Sequence, residues 1–129
     1  MKYLGLDYGA RRIGFAVSDA EGKIAFPRTT LPNDGKLLAE LVRIVADEEI
    51  EHIIVGDTRS HGGASNPVTA EAEAFARELK RATGIPVARQ FEAWSSIEAS
   101  RYAPQGKGHD DASAAAIILQ RFLDMWHPK

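Results

Sequence analysis

Apolar and polar positions follow a period of two along the first third of the chain and change to a helical period afterwards. Tyr3-Leu4-Gly5-Leu6 is an apolar run that ends at Asp7. A glycine turn and the pair Arg11-Arg12 come next, and then Ile13, Phe15 and Val17 alternate with Gly14, Ala16 and Ser18. This pattern predicts a strand, a tight turn and a returning strand with one bulky and one small face. Asp19-Ala20-Glu21-Gly22 predicts a hairpin turn with the glycine at positive φ. A third strand over 23–31, interrupted or ended at Pro27, completes an antiparallel meander.

From Leu37 onward the apolar positions Leu37, Leu38, Leu41, Ile44 and Val45 fall on a helical stripe, with Glu40, Arg43, Asp47 and Glu48 largely off it. Asn33-Asp34-Gly35 supplies a helix start. His52-Ile53-Ile54-Val55-Gly56-Asp57 is nearly all apolar, as a buried parallel strand is. The polar, glycine-rich stretch 58–67 has no period and reads as a surface loop. A second helix carries Val68, Ala72, Phe75, Ala76 and Leu79, and Thr83-Gly84-Ile85-Pro86 stops it. Residues 87–92 form a fifth strand ending in Glu92. Ser95 and Glu98 have the spacing of a capping box for a short helix to Tyr102. After a loop over 103–108, a last helix begins near Asp110, with Ala115, Ile118, Leu119, Phe122 and Trp126 facing the core.

Three strands followed by helix, strand, helix, strand and helix predict an α/β fold. Its five-stranded mixed sheet joins the meander to two strands parallel to the first, with helices on both faces. A chain of 129 residues is expected to form a single domain over 1–129. Composition changes this picture little: 44% hydrophobic and 26% charged residues are ordinary for a globular protein. The absence of cysteine excludes disulfides, thiolate metal sites and a cysteine nucleophile, and fits a reducing compartment. With no apolar stretch of signal or membrane length, the expected location is cytoplasmic, with no membrane partner. A net charge of -2 provides no overall basic field, so contact with nucleic acid would have to come from a local patch.

Sheets of this kind bind ligands beyond the carboxyl ends of their parallel strands. Asp7, Asp57 and Glu92 end three strands, and Asp110-Asp111 open the last helix. Carboxylates converging there repel one another unless a cation neutralises them, and an all-oxygen set favours Mg²⁺ or Mn²⁺. Each residue also has a simpler reading. An aspartate before glycine initiates turns, Glu92 can be a surface carboxylate, and Asp110 or Asp111 can cap a helix.

Gly5-Leu6-Asp7-Tyr8-Gly9-Ala10-Arg11-Arg12-Ile13-Gly14-Phe15-Ala16-Val17-Ser18-Asp19 resembles the opening motif of the YqgF/RuvX family of Holliday junction resolvases, which have an RNase H-like fold. Ile54-Val55-Gly56 is similar to the family's middle strand, and Phe91-Glu92-Ala93-Trp94-Ser95-Ser96-Ile97-Glu98-Ala99 to its glutamate segment. Asp111-Ala112-Ser113-Ala114-Ala115-Ala116-Ile117-Ile118-Leu119-Gln120 resembles its closing helix. The resemblance covers essentially the whole chain. It implies a nuclease with Asp7, Glu92 and Asp111 as catalytic, metal-ligating carboxylates. Two Mg²⁺ or Mn²⁺ ions about 3.5–4 Å apart would promote phosphodiester hydrolysis, with Asp7 as the shared ligand. The substrate it implies is a structured nucleic acid, either branched DNA or the 5′ end of precursor 16S rRNA. Two coordinated cuts in a junction would favour a homodimer.

Arg11, Arg12, Arg59 and Lys107 are the candidate phosphate contacts, with Arg101 extending the rim. Arg11 and Arg12 occupy alternating positions and are expected to point to opposite faces. His109 could relay a proton and Trp94 could stack on a base, while His52, His61 and His127 have no metal-ligand spacing. The chain departs from the family pattern at Phe91 and Ala93, where an aspartate and an arginine are usual, and at Asp57-Thr58, where leucine-proline is common. These departures motivate an alternative, a nucleic-acid-binding protein with impaired catalysis. The aspartate-glycine turn also resembles the first phosphate motif of actin-like ATPases, which use two such domains around a nucleotide.

Overall fold

A computed structural model describes residues 1–9, 11–56, 67–90 and 111–126. The meander comprises β1 (Tyr3–Tyr8), β2 (Arg12–Ser18) and β3 (Ala25–Pro32). Helix α1 (Leu37–Asp47), strand β4 (His52–Gly56), helix α2 (Pro67–Thr83), strand β5 (Val87–Gln90) and helix α3 (Asp111–Trp126) follow. The strands form one sheet in the order β3-β2-β1-β4-β5. β1 is antiparallel to β2 and parallel to β4, and β4 is parallel to β5, as the mixed-sheet pattern predicts.

The pleat separates two cores. Leu4, Leu6 and Tyr8 of β1, with Ile13, Phe15 and Val17 of β2 and Ile53 and Val55 of β4, pack against Leu37 and Leu41 of α1 and Ala72 and Leu79 of α2. On the opposite face Tyr3, Ala16 and Ile54 pack against Ala115, Ile118, Leu119 and Leu123 of α3. The bulky face thus takes two helices and the small face takes one at close range. Among the described residues no helix is long and apolar enough to cross a membrane.

β3 does not end at Pro27. It is an edge strand, where a missing N–H breaks no ladder on the open side. The pairing shifts between Phe15↔Thr29 and Ala16↔Pro27, so Arg28 is the extra residue of a bulge. Its guanidinium reaches Glu48 at 2.7 Å, and Glu48 also receives Lys2 at 3.4 Å. The start of α1 also differs in detail. The Asp34 side chain accepts the Lys36 N–H at 2.9 Å, one turn ahead of the helix. Pro67, read from sequence as the end of the loop, is the first residue of α2, a position where a missing N–H costs nothing. The expected helix over 95–102 and the loops over 58–66 and 103–108 lie outside the described residues.

The hairpin after β2 turns on Gly22 at φ 71°, as expected. Asp19 Oδ1 accepts the N–H groups of Lys23 at 2.7 Å and Ile24 at 3.2 Å. These bonds, the Lys23 one first, hold the Asp19 carboxyl below the ordinary carboxylate range. A lowered native pKa stabilises the fold above the ordinary carboxylate range, and this contribution is lost as pH falls through the lowered value. The stability difference between wild type and Asp19→Ala should therefore be constant near neutrality and shrink in acid. Urea titrations followed by circular dichroism at several pH values check this, and a pH-independent difference would contradict it.

Candidate active site

Asp7 is the next-to-last residue of β1 and is 1% exposed. Its partners across the sheet are Gly14 on β2 and Gly56 on β4, and Gly56 in turn pairs with Gln90 of β5. One row therefore reads Gly14, Asp7, Gly56, Gln90, at the carboxyl ends of all three parallel strands. The Oδ2 atom of Asp7 is enclosed and accepts no hydrogen bond among the described residues, although the residue takes part in other interactions.

Strand parity places Asp7 with Tyr3 and Gly5, on the face that receives α3. Small residues set how near that helix comes. A Cβ on Gly5 would lie 2.6 Å from Leu119 Cβ and 3.2 Å from the Ala115 carbonyl oxygen. A Cβ on Gly56 would lie 2.6 Å from Ile118 Cδ1, so Ile118 fills the space beside Asp7's glycine neighbour. Farther along α3, the Phe122 ring lies 6.0 Å from that of Tyr3. The helix thus runs antiparallel to β1, with Phe122 over Tyr3 and with Leu119 and Ala115 over Gly5. Two strand residues advance about 6.6 Å, the rise of roughly four helical residues. The helix therefore points its opening end, at Asp111, toward the end of β1 that holds Asp7.

Gln120 secures this register. Its Oε1 accepts the Ala25 N–H at 2.9 Å, and its Nε2 donates to the Lys23 carbonyl at 2.9 Å and to Asp124 at 3.0 Å. The amide ties the middle of α3 to the start of the edge strand.

Arg11 and Arg12 are both exposed and lie at the end of the sheet that holds Asp7. Arg12 has the parity of Gly14 and so belongs to the Asp7 face, while Arg11 precedes the strand. Their turn is held by Asn33, whose backbone N–H donates to the Arg11 carbonyl at 2.9 Å and whose Nδ2 donates to the Gly9 carbonyl at 2.8 Å. His52 is half-buried and stacks on Tyr3 at 5.4 Å, toward the opposite end of β1 from Asp7. Glu92, Arg59 and Lys107 lie outside the described residues, as do Asp57, His61, Phe91, Ala93, Trp94, Arg101, His109, Asp110 and His127. The side chains of Asp111 and Trp126 do so too. Among the described residues no group of three histidines or carboxylates is placed to hold a metal.

Sequence reading did not single out Asn33, Gly56 or Gln120 for these roles. The one local signal was a small residue at the end of an apolar strand, which marks close approach of another element.

The sheet order, the buried strand-end carboxylate and the single helix on its face define the class, which is the fold of the RuvC-like resolvases. "T. thermophilus RuvC in complex with Holliday junction substrate" matches with a TM-score of 0.65 and 15% identity, over 99% of this chain and 96% of that one. The fowlpox virus Holliday junction resolvase matches with a TM-score of 0.58 and 14% identity, over 97% and 99% of the two chains. A family model described as "RuvX: Holliday junction resolvase" matches residues 1–125, and the chain belongs to that family. A relative from Nitratidesulfovibrio vulgaris (strain DSM 19637 / Miyazaki F) is 39% identical, covering 97% of this chain and 94% of its own, and is named "Putative pre-16S rRNA nuclease". One from Anaeromyxobacter sp. (strain Fw109-5) with the same name is 38% identical, covering 98% and 99%. The chain is accordingly a nuclease, of a fold whose members generally use divalent metals.

Proposed function

We propose that the chain is a divalent-metal-dependent endonuclease that cleaves structured precursor 16S rRNA, with Asp7, Glu92 and Asp111 as its ligating carboxylates. The observation that carries the reading is Asp7, a carboxylate 1% exposed at the centre of the strand-end row. A charge so buried is stable only when paired or coordinated. Its hard oxygen donors suit Mg²⁺ or Mn²⁺, so the donor chemistry fits such ions. The RNA assignment is supported by the names of relatives 38–39% identical over nearly their full lengths.

Two ions of this kind, when bound, neutralise charge at the attacked phosphate and acidify the attacking water. The chain's own part is position. Asp7, fixed on β1, would hold these ions together with Glu92 and Asp111. Arg11 and Arg12 hold the phosphodiester backbone from the exposed turn beside Asp7, and Arg59 and Lys107 extend the grip.

A second reading, cleavage of four-way DNA junctions by a homodimer, is favoured by the family model's description and by the junction-bound neighbour. One panel separates the two: a precursor 16S hairpin RNA, a four-way DNA junction and linear duplex DNA, each with Mg²⁺ or Mn²⁺. Cutting of the RNA alone supports rRNA maturation, and paired symmetric cuts in the junction support resolution. Binding without cutting under either ion would refute catalysis and leave a nucleic-acid-binding protein.

A further inference from the structure

We infer that Asn33 is a positioning residue for nucleic-acid phosphate, acting through the arginine turn between β1 and β2. The inference rests on the nuclease reading above. Asn33 follows directly on β3, is half-buried, and reaches across β2 to a turn 24 residues earlier in the chain. Its backbone N–H takes the Arg11 carbonyl at 2.9 Å and its Nδ2 takes the Gly9 carbonyl at 2.8 Å. The turn is thereby held at two carbonyls, one on each side of residue 10.

Two consequences follow from elementary electrostatics. First, the turn connects Asp7's strand to Arg12 and carries Arg11, so holding its backbone fixes where both guanidinium groups start relative to the buried carboxylate. Less ordering is then left to be done when a phosphate binds. Second, peptide carbonyl oxygens carry partial negative charge and repel phosphate. Asn33 draws two of them into hydrogen bonds with its own donors. The Nδ2 donor is the specific part, because the backbone N–H would be present with any residue except proline.

The test is affinity, measured without catalysis. Wild type, Asn33→Ala and Asn33→Leu would be titrated in EDTA against a fluorescein-labelled hairpin RNA and a labelled four-way DNA junction, from 50 to 300 mM KCl. Each Asn33 substitution would also be made in an Arg11→Ala/Arg12→Ala background. Loss of the side-chain hydrogen bond should raise Kd about three- to tenfold and flatten the salt dependence by about one counterion. The effect should disappear when both arginines are already gone, because coupled residues are non-additive. The neutral, near-isosteric Asn33→Leu removes the donor without adding charge, so it reads the same quantity should Asn33→Ala unfold. Unchanged affinity in a folded Asn33→Leu variant, or an equal loss with and without the arginines, would overturn the inference while leaving the nuclease reading intact. Failure of the wild type to bind either probe at 50 mM KCl would overturn the inference, and the cleavage panel above decides the nuclease reading by itself.

Discussion

Asp7→Asn is expected to lower cleavage by about three orders of magnitude while leaving the protein folded. The carboxylate lies at the centre of a row whose immediate neighbours are Gly14 and Gly56, and it is buried on a β-strand. Asparagine has nearly the same shape but offers one neutral oxygen in place of a charged pair. Loss of a shared ligand that supplies roughly 4 kcal/mol of transition-state stabilisation corresponds to about a 10³-fold loss of rate. The stability effect should run the other way. Without a cation the proposed carboxylates of Asp7, Glu92 and Asp111 repel one another, so the melting temperature of Asp7→Asn in EDTA should equal or exceed that of wild type. Adding Mg²⁺ should raise the melting temperature of wild type, by up to about 2.7 kcal/mol of stability at 100 times Kd, and should leave that of the variant unchanged. Equal Mg²⁺ stabilisation of the two proteins would remove Asp7 from the metal site. Equal rates would remove it from catalysis.

Gly5→Ala should be the most disruptive single-methyl change in the sheet. The added carbon would meet Leu119 Cβ at 2.6 Å and the Ala115 carbonyl oxygen at 3.2 Å. Neither atom is the end of a flexible side chain, so α3 itself has to move. Overpacking of this kind costs about 1–3 kcal/mol. Because α3 opens at Asp111, the shift should also reduce cleavage beyond what the lost stability explains. Gly56→Ala provides the contrast. The three atoms nearest its new carbon all belong to the Ile118 side chain, the closest at 2.6 Å. Trimming that side chain should restore space, so Gly56→Ala/Ile118→Ala is expected to be more stable than the two single changes sum to. Thermal unfolding of the four variants, with cleavage assays at a temperature where all are folded, checks both points. A Gly5→Ala protein as stable and active as wild type would show that the close seating of α3 is not needed.

Much of the fold was legible because each local pattern has one physical meaning. Alternation of Ile13, Phe15 and Val17 with Gly14, Ala16 and Ser18 marked one bulky and one small face, on which the structure seats two helices and one helix respectively. The apolar run 53–55 announced a strand covered on both sides. Whether Pro27 interrupts its strand or ends it stayed open in the sequence, because a proline's effect depends on whether its strand is central or at the edge. That property belongs to the sheet and not to the strand. The bulge at Arg28 accommodates it, and only the pairing with β2 reveals the bulge.

By itself, then, the sequence determined the order of elements, the two faces of the meander, the position of Asp7 at a strand end and membership of a nuclease family. These are local or motif-borne properties, written in periods of two and 3.6 residues and in short runs of specific residues. Only the tertiary structure decided what surrounds Asp7: the glycine row, the depth at which α3 sits, and the two amides that lock the frame. Gln120 bonds to Ala25 across 95 residues and Asn33 to Gly9 across 24. Such contacts depend on the distance between backbones after the sheet has formed, which residue type and spacing along the chain do not encode.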